Sequence, residues 1–143
     1  MSQHVIIYPV LAQVLVTFFV LVALGKSRGD SFREKRASAQ DVALSGDAVW
    51  NEQAVKASNN YRNQFEMPVL FYAVTAFALI LRMVDIFFLT LAWLFVVTRA
   101  AHAFIHVGPN TVRSRSIAFI TGAVIVLVMW LMIGAKALNA SIV

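Results

Sequence analysis

The fold is decided by residues 59–113, which read NNYRNQFEMPVLFYAVTAFALILRMVDIFFLTLAWLFVVTRAAHAFIHVGPNTVR. A polar segment leads into an apolar run, and a short polar turn at 82–85 leads into a second apolar run that begins at Ile86. Runs of this length predict two helices that cross a membrane and return. At 1.5 Å per residue, Glu66 and His102 each lie about 27 Å from the turn between the helices. We therefore expect the polar ends of both helices to lie at one membrane face.

The composition is that of an integral membrane protein. Apolar residues make up 60% of the chain and charged residues only 13%, and the mean hydropathy is +0.76. A soluble domain has nearer half apolar and a quarter charged residues. Apolar runs at about 5–24, 65–82, 86–107 and 116–135 are each interpreted as membrane spans. The sequence thus predicts one all-α domain over residues 1–143, built as a four-transmembrane-helix bundle in a lipid bilayer.

The segment 25–58 is the extended polar part of the chain and is predicted to be a loop beside the membrane. Its basic cluster consists of Lys26, Arg28, Arg33, Lys35 and Arg36. This cluster indicates either a solvated loop or recognition of specific lipids. The net charge of +5 has the same origin, so we do not predict nucleic acid as a partner. A break at Ser45–Gly46 precedes Asp47, which we interpret as the N-cap of the next helix.

The distribution of basic residues predicts the topology. All but two of the 12 Lys and Arg residues fall within 25–65 or 99–115, and the other two are Arg82 and Lys136. Cytoplasmic loops carry the excess of Lys and Arg. We therefore expect the loops 25–65 and 107–115 to be cytoplasmic and both termini to be outside.

Polar residues at the ends of the central hairpin form a candidate site. Asn59, Asn63 and Glu66 follow one stripe of the second helix. On the third helix, polar residues at i, i+3 and i+7 share one face, namely Arg99, His102 and His106. An unpaired carboxylate at the edge of hydrocarbon is costly, so Glu66 is expected to have a cationic partner. The cluster is then either a ligand site or an ion pair that locks helices together.

Two features of the site narrow its chemistry. The sequence has no Cys, so disulfides and cysteine nucleophiles are excluded and any thiol must come from a ligand. His102 and His106 are spaced i, i+4, but no third ligand is placed for zinc, and we expect no metal.

Pro68 falls just inside the second span, where a helix that continues through it should kink.

These residues resemble the MAPEG family, the membrane-associated proteins of eicosanoid and glutathione metabolism, in the variant common among bacterial members. The resemblance covers nearly the whole chain. It is most specific in Asn63-x-x-Glu66 before Pro68 and in Arg99-x-x-His102-x-x-x-His106 followed by Arg113. It implies a homotrimer in a bacterial inner membrane that binds glutathione between subunits near the cytoplasmic face and admits lipophilic small molecules from the bilayer.

The resemblance also implies roles for individual residues. Asn63, Glu66 and Arg99 match positions that contact glutathione, and Arg113 matches the arginine that stabilises its thiolate. The chain departs from the family at three positions. Asn59 replaces an arginine of glutathione-using members, and His102 and His106 stand where tyrosines are found. We keep Asn59 and His106 among the cofactor-binding residues and His102 as a catalytic residue that could shuttle a proton.

Two functions remain open at this point. One is a glutathione-dependent transferase or peroxidase that acts on lipophilic substrates, with Arg113 and His102 as catalytic residues. The other is a noncatalytic MAPEG-fold protein, either a structural subunit or a lipid-binding trimer, in which the polar cluster locks the helices. The missing arginine at Asn59 favours the second function, whereas Asn63, Glu66 and Arg113 favour the first.

Overall fold

The computed structural model describes residues 2–34, 38–45 and 49–140, and every regular element among them is a helix. Lys35 and Arg36 of the basic cluster, and the N-cap predicted at Asp47, lie outside the described residues. A short 3₁₀ turn at Gln3–Ile6 precedes six helices: α1 (Ile7–Arg33), α2 (Ala39–Ser45), α3 (Glu52–Asn63), α4 (Met67–Ile80), α5 (Ile86–Val107) and α6 (Val112–Ala140).

Four helical segments are long and apolar enough to cross a membrane, namely Gln3–Arg33, Glu52–Ile80, Ile86–Val107 and Val112–Asn139. The predicted all-α fold with four membrane-spanning helices is therefore confirmed. Three of the four segments extend beyond the apolar runs of the sequence, because helix continues into polar residues at one or both of their ends. Apolar side chains such as Leu15, Phe104 and Leu131 remain exposed on the outside of the bundle, where lipid can cover them.

The second crossing is built from two helices. The Asn51 side chain caps α3, because its Oδ1 accepts a hydrogen bond from the Ala54 amide at 2.8 Å. This helix ends at Asn63, and α4 begins at Met67 with Pro68 in its first turn. A proline there loses no helical hydrogen bond, since the first amides of a helix have no partner within it. The chain thus makes a break before Pro68 in place of the kinked continuous helix expected from the sequence.

Hydrogen bonds show which ends of the helices lie together. At one end, the Gln3 side chain donates to the Val84 carbonyl at 3.2 Å and accepts from the Val84 amide at 2.9 Å. At the other end, Gln53 Nε2 donates to the Val107 carbonyl at 2.9 Å. The N-terminus therefore lies beside the turn that joins α4 to α5, and the end of α5 lies beside the start of α3.

The interior between α4, α5 and α6 is tightly packed. The rings of Phe71 and Phe95 stack with their centroids 4.5 Å apart, and both side chains are fully buried. Gly122 lets α6 approach α5 closely, since a Cβ there would lie 2.9 Å from Thr98 Oγ1. Gly134, the other small residue expected to permit close packing, has no atom within 4 Å of such a Cβ. The close approach of α5 and α6 at Gly122 lies about two turns or less from the polar residues that follow it on α5 and precede it on α6, so it helps to position them.

Candidate functional site

The break between α3 and α4 opens a polar cavity at the end of the bundle that holds the start of α3. Its volume is about 350 Å³. The walls come from the end of α3, the break, α5 and the first three turns of α6. The lining residues are Asn63, Glu66, His102, Arg115, Ser116, Phe119 and Ile120. Three of the predicted site residues, Asn63, Glu66 and His102, thus line one cavity. Glu66 and Ser116 are exposed at its mouth.

Arg99 lies behind this cavity and is fully buried. Its Nη2 donates to the backbone carbonyl of Asn63 at 3.0 Å, while Nε and Nη1 have no hydrogen-bond partner among the described residues. The guanidinium also lies 5.9 Å from the ring centroid of Phe119, which lines the cavity, and it interacts electrostatically with Glu66. A buried cation with two unused donor atoms is unusual in a folded chain, since buried polar groups normally find partners.

The two histidines of α5 are buried next to each other, with ring centroids 5.6 Å apart. His102 Nδ1 lies 3.1 Å from the Arg115 carbonyl, which can only accept a hydrogen bond. In the neutral ring the proton therefore sits on Nδ1, and Nε2 is a buried acceptor without a partner in the described chain. His106 does not line the cavity, and its Nδ1 is likewise buried and unpartnered.

Two arginines begin α6, and the structure places them differently. Arg113, the residue to which the resemblance assigns thiolate stabilisation, is exposed and does not line the cavity. Arg115 lines it, and one of its nitrogens, Nη1, donates to Asn110 Oδ1 at 2.7 Å. A guanidinium has five N–H donors, so Arg115 keeps several for a ligand. Sequence reasoning missed Arg115 and Ser116, although both follow Arg113 within one helical turn.

Asn59 is exposed on α3 and does not line the cavity, whereas its neighbour Asn60 is fully buried. Asn60 Nδ2 donates to the Ala103 carbonyl at 3.0 Å, and its Oδ1 accepts from Gln64 Nε2 at 3.2 Å. Gln64 in turn accepts from Gln13 Nε2 at 3.3 Å. This polar chain joins α1, the α3–α4 break and α5. The small residues that share its face of α3, Ala54, Ala57 and Ser58, are the sequence signal that could have identified that face as buried.

The arrangement combines groups of both charges in a confined space beside hydrocarbon. Glu66 can bind an ammonium group, and Arg115 can bind a carboxylate or a thiolate. Asn63 and Ser116 add neutral hydrogen-bonding groups. No group of three or more His, Cys, Asp or Glu side chains that could hold a metal ion occurs within the described ranges. The cavity therefore suits a small zwitterionic molecule.

These features define an integral membrane protein with a four-helix bundle and a polar site at one end. A model of the MAPEG family matches residues 6–135, and the chain belongs to that family of membrane proteins of glutathione and eicosanoid metabolism. No significant match was found among the curated proteins or the solved structures.

Proposed function

We propose that the protein is a glutathione-dependent transferase or peroxidase that acts on lipophilic substrates. The observation that carries this proposal is the cavity at the α3–α4 break, which Glu66, Arg115 and Ser116 line. Behind it lies the guanidinium of Arg99, two of whose nitrogens have no hydrogen-bond partner in the described chain. Members of the family are associated with glutathione, and this chain has no thiol of its own.

The residues present fit glutathione. The tripeptide carries two carboxylates, one ammonium group and a thiol, and its length requires a cavity of several hundred Å³. Glu66 offers the one carboxylate for the ammonium group. Arg115 and Arg99 offer cations, and the unused Nε and Nη1 of Arg99 are orphaned donors of the kind that a carboxylate satisfies. The fit rests on Arg99 and Arg115, since Asn59 stands where glutathione-using members have an arginine.

When bound, glutathione supplies the sulfur nucleophile or reductant that the chain lacks. The side chains of the cavity bind and orient the peptide, which converts a bimolecular encounter into a positioned one. Arg115 holds a positive charge at the cavity wall, and a fixed cation favours the thiolate over the thiol. Ser116 adds a hydroxyl donor beside it. His102, with a free Nε2 lone pair in the neutral ring, accepts a proton from a group in the cavity.

Comparison of the two α6 arginines tests this proposal most directly. We expect glutathione to bind the detergent-purified protein in calorimetric titration and to support turnover of an activated aryl halide or a lipid hydroperoxide. Arg115→Ala should lower this turnover by about 10²-fold, the usual effect of removing one group that stabilises developing charge. Arg113→Ala should have a much smaller effect. If the larger loss belongs to Arg113, the thiolate position in the assembled protein is on the outer face of α6 and not in this cavity.

A noncatalytic function is the second candidate, supported by the bond from Arg99 to the Asn63 carbonyl and by the chain of amides from Gln13 to Ala103. Both connect helices in the interior and stabilise the bundle without a ligand. Absence of heat and of thermal stabilisation at several millimolar glutathione would favour it, because a ligand well above its Kd stabilises the fold that binds it. The protein would then be a structural subunit or a lipid-binding trimer.

The proposed setting is a homotrimer in a bacterial inner membrane, with the cavity on the cytoplasmic side and both termini outside. The segments 25–65 and 107–115 hold most of the basic residues, and the Gln53–Val107 hydrogen bond, which joins one residue of each segment, supports a shared membrane side for them. Exposure of Glu66, Ser116 and Ile120 at the mouth supports a neighbouring subunit that closes the site. Crosslinking measures the subunit number, and labelling of single cysteines introduced at Ser2 and Thr111 measures the topology.

A further inference from the structure

Helix α1 is buried along one stripe and leaves an open groove beside it. The buried stripe consists of residues that recur at helical spacing, Gln13, Val20, Leu24, Ser27 and Ser31. Beside this stripe, residues of α1 and α5 line two cavities of about 530 Å³ and about 430 Å³ that share Phe19. Because they lie on successive turns of the same two helices, they form a single groove, which we call the α1–α5 groove.

Most of the α1–α5 groove is apolar and faces outward. Leu15 and Phe19 of α1 and Phe104 of α5 form exposed rims, and the alanines at 100, 101 and 103 leave room between the rims. The groove extends along α1 from Leu15 to Asp30, about 22 Å at 1.5 Å per residue. This length suits an extended acyl chain that lies along the bundle.

The groove becomes polar at one end only. Lys26, Ser27, Asp30 and Gln53 line that end, together with the last turn of α5 at Val107. Lys26 and Asp30 are spaced i, i+4 and so lie on the same face of α1. Lys26 is exposed, and the ion pair of Asp30 within the described residues is a weak exposed one to Arg33, at 3.8 Å. One cation and one carboxylate with free acceptor capacity thus lie side by side where the hydrocarbon groove ends.

We propose that the α1–α5 groove is a binding site for a phospholipid whose headgroup carries both a phosphate and a primary ammonium group, as phosphatidylethanolamine does. The phosphate binds Lys26, the ammonium group donates to Asp30, and one acyl chain lies between Phe19 and the alanines of α5. The site lies on a different face of the bundle from the polar cavity and does not depend on the proposed enzymatic function.

Charge complementarity favours this occupant over the alternatives. A helix of a second copy would present side chains along the full groove and would leave Lys26 and Asp30 without a matched partner of both signs. A purely anionic headgroup would satisfy Lys26 but would meet the Asp30 carboxylate. A quaternary ammonium headgroup has no N–H to donate to Asp30. Only a headgroup with a phosphate and an N–H-bearing ammonium matches both residues.

Native mass spectrometry of the assembled, detergent-released protein tests the site. The protein is equilibrated with equal amounts of phosphatidylethanolamine, phosphatidylglycerol and phosphatidylcholine that share the same acyl chains. We expect phosphatidylethanolamine to be retained in preference to the other two. Lys26→Gln should weaken this retention about fivefold, the usual effect of one basic residue at an interface, and Asp30→Asn should remove the preference over phosphatidylcholine. Lys136→Gln, at the other end of the bundle, is the matched control.

A second pair of variants tests the apolar part of the groove. Ala101→Trp fills the space between α1 and α5 from the exposed side and should abolish lipid retention, whereas Ala135→Trp on the exposed surface of α6 should preserve it. Equal retention in both tryptophan variants overturns the proposal, as does equal retention of all three lipids by the unaltered protein. A lower subunit number in Ala101→Trp alone also overturns it, because the groove is then covered by a second copy of the chain.

Discussion

The Arg99 guanidinium donates to the backbone carbonyl of Asn63 at 3.0 Å, and this bond joins the third membrane helix to the end of α3 where the second crossing breaks. Nε and Nη1 of the same group are buried without partners in the described chain, so Arg99 holds the break in place and, under the proposed function, has two donor atoms left for a ligand. The predictions below separate these two roles and test the packing that positions the site.

Arg99→Met should separate binding from stability. A buried guanidinium with one good hydrogen bond loses much of its solvation, so its replacement by an apolar residue of similar length should change the free energy of unfolding by no more than about 1 kcal/mol. Glutathione affinity in calorimetric titration should fall at least tenfold. A loss of about 3–5 kcal/mol in stability with unchanged glutathione affinity would instead show that Arg99 is a structural lock.

His102→Phe should lower glutathione-dependent turnover more than His106→Phe. Phenylalanine preserves the aromatic contact between the two rings in either variant. Only His102 lines the cavity and bonds the carbonyl of Arg115, so only its loss removes a proton acceptor and loosens the start of α6. Initial rates at saturating glutathione measure the difference. Equal losses in the two variants would mean that the histidine pair acts as a unit.

Asn60→Ala should destabilise the bundle by about 1–3 kcal/mol, because it removes the buried side-chain hydrogen bonds to the Ala103 carbonyl and from Gln64 Nε2. Asn59→Ala is the matched control at the exposed neighbouring position, and it should change stability by less than about 0.5 kcal/mol. Thermal or denaturant unfolding in detergent measures both. If Asn59→Ala is the more destabilising variant, the exposed face of α3 is covered in the assembled protein.

Gly122→Val should destabilise the protein by about 1–3 kcal/mol, since the added side chain overlaps Thr98 Oγ1 and forces α6 away from α5. The same change at Gly134 brings the same small gain in helix propensity and meets no atom within 4 Å, so it should be neutral or slightly stabilising. Unfolding experiments compare the two. Glutathione affinity should also fall in Gly122→Val, because Arg115 and His102 lie on the helices that separate.

The sequence by itself determined the class of protein, the number of spans and the grouping of polar residues at one end. These properties follow from long apolar runs and from helix periodicity, which are local patterns that can be identified directly in the sequence. For the same reason, the sequence could predict the limits of the third helix, 86–107, and that Asn63, Glu66 and His102 lie close together. The resemblance carried by Asn63-x-x-Glu66 and Arg99-x-x-His102 led to the family that the match over residues 6–135 confirms.

Only the tertiary structure decided which neighbours of those residues face inward. On α3, which ends before the break at Pro68, Asn60 is buried and Asn59 is exposed, although the two are adjacent in sequence. On α6, which approaches α5 closely at Gly122, Arg115 lines the cavity and Arg113 does not. Which side of a helix faces the interior depends on how that helix packs against its neighbours and on where it starts. The spacing of residues within one helix encodes neither.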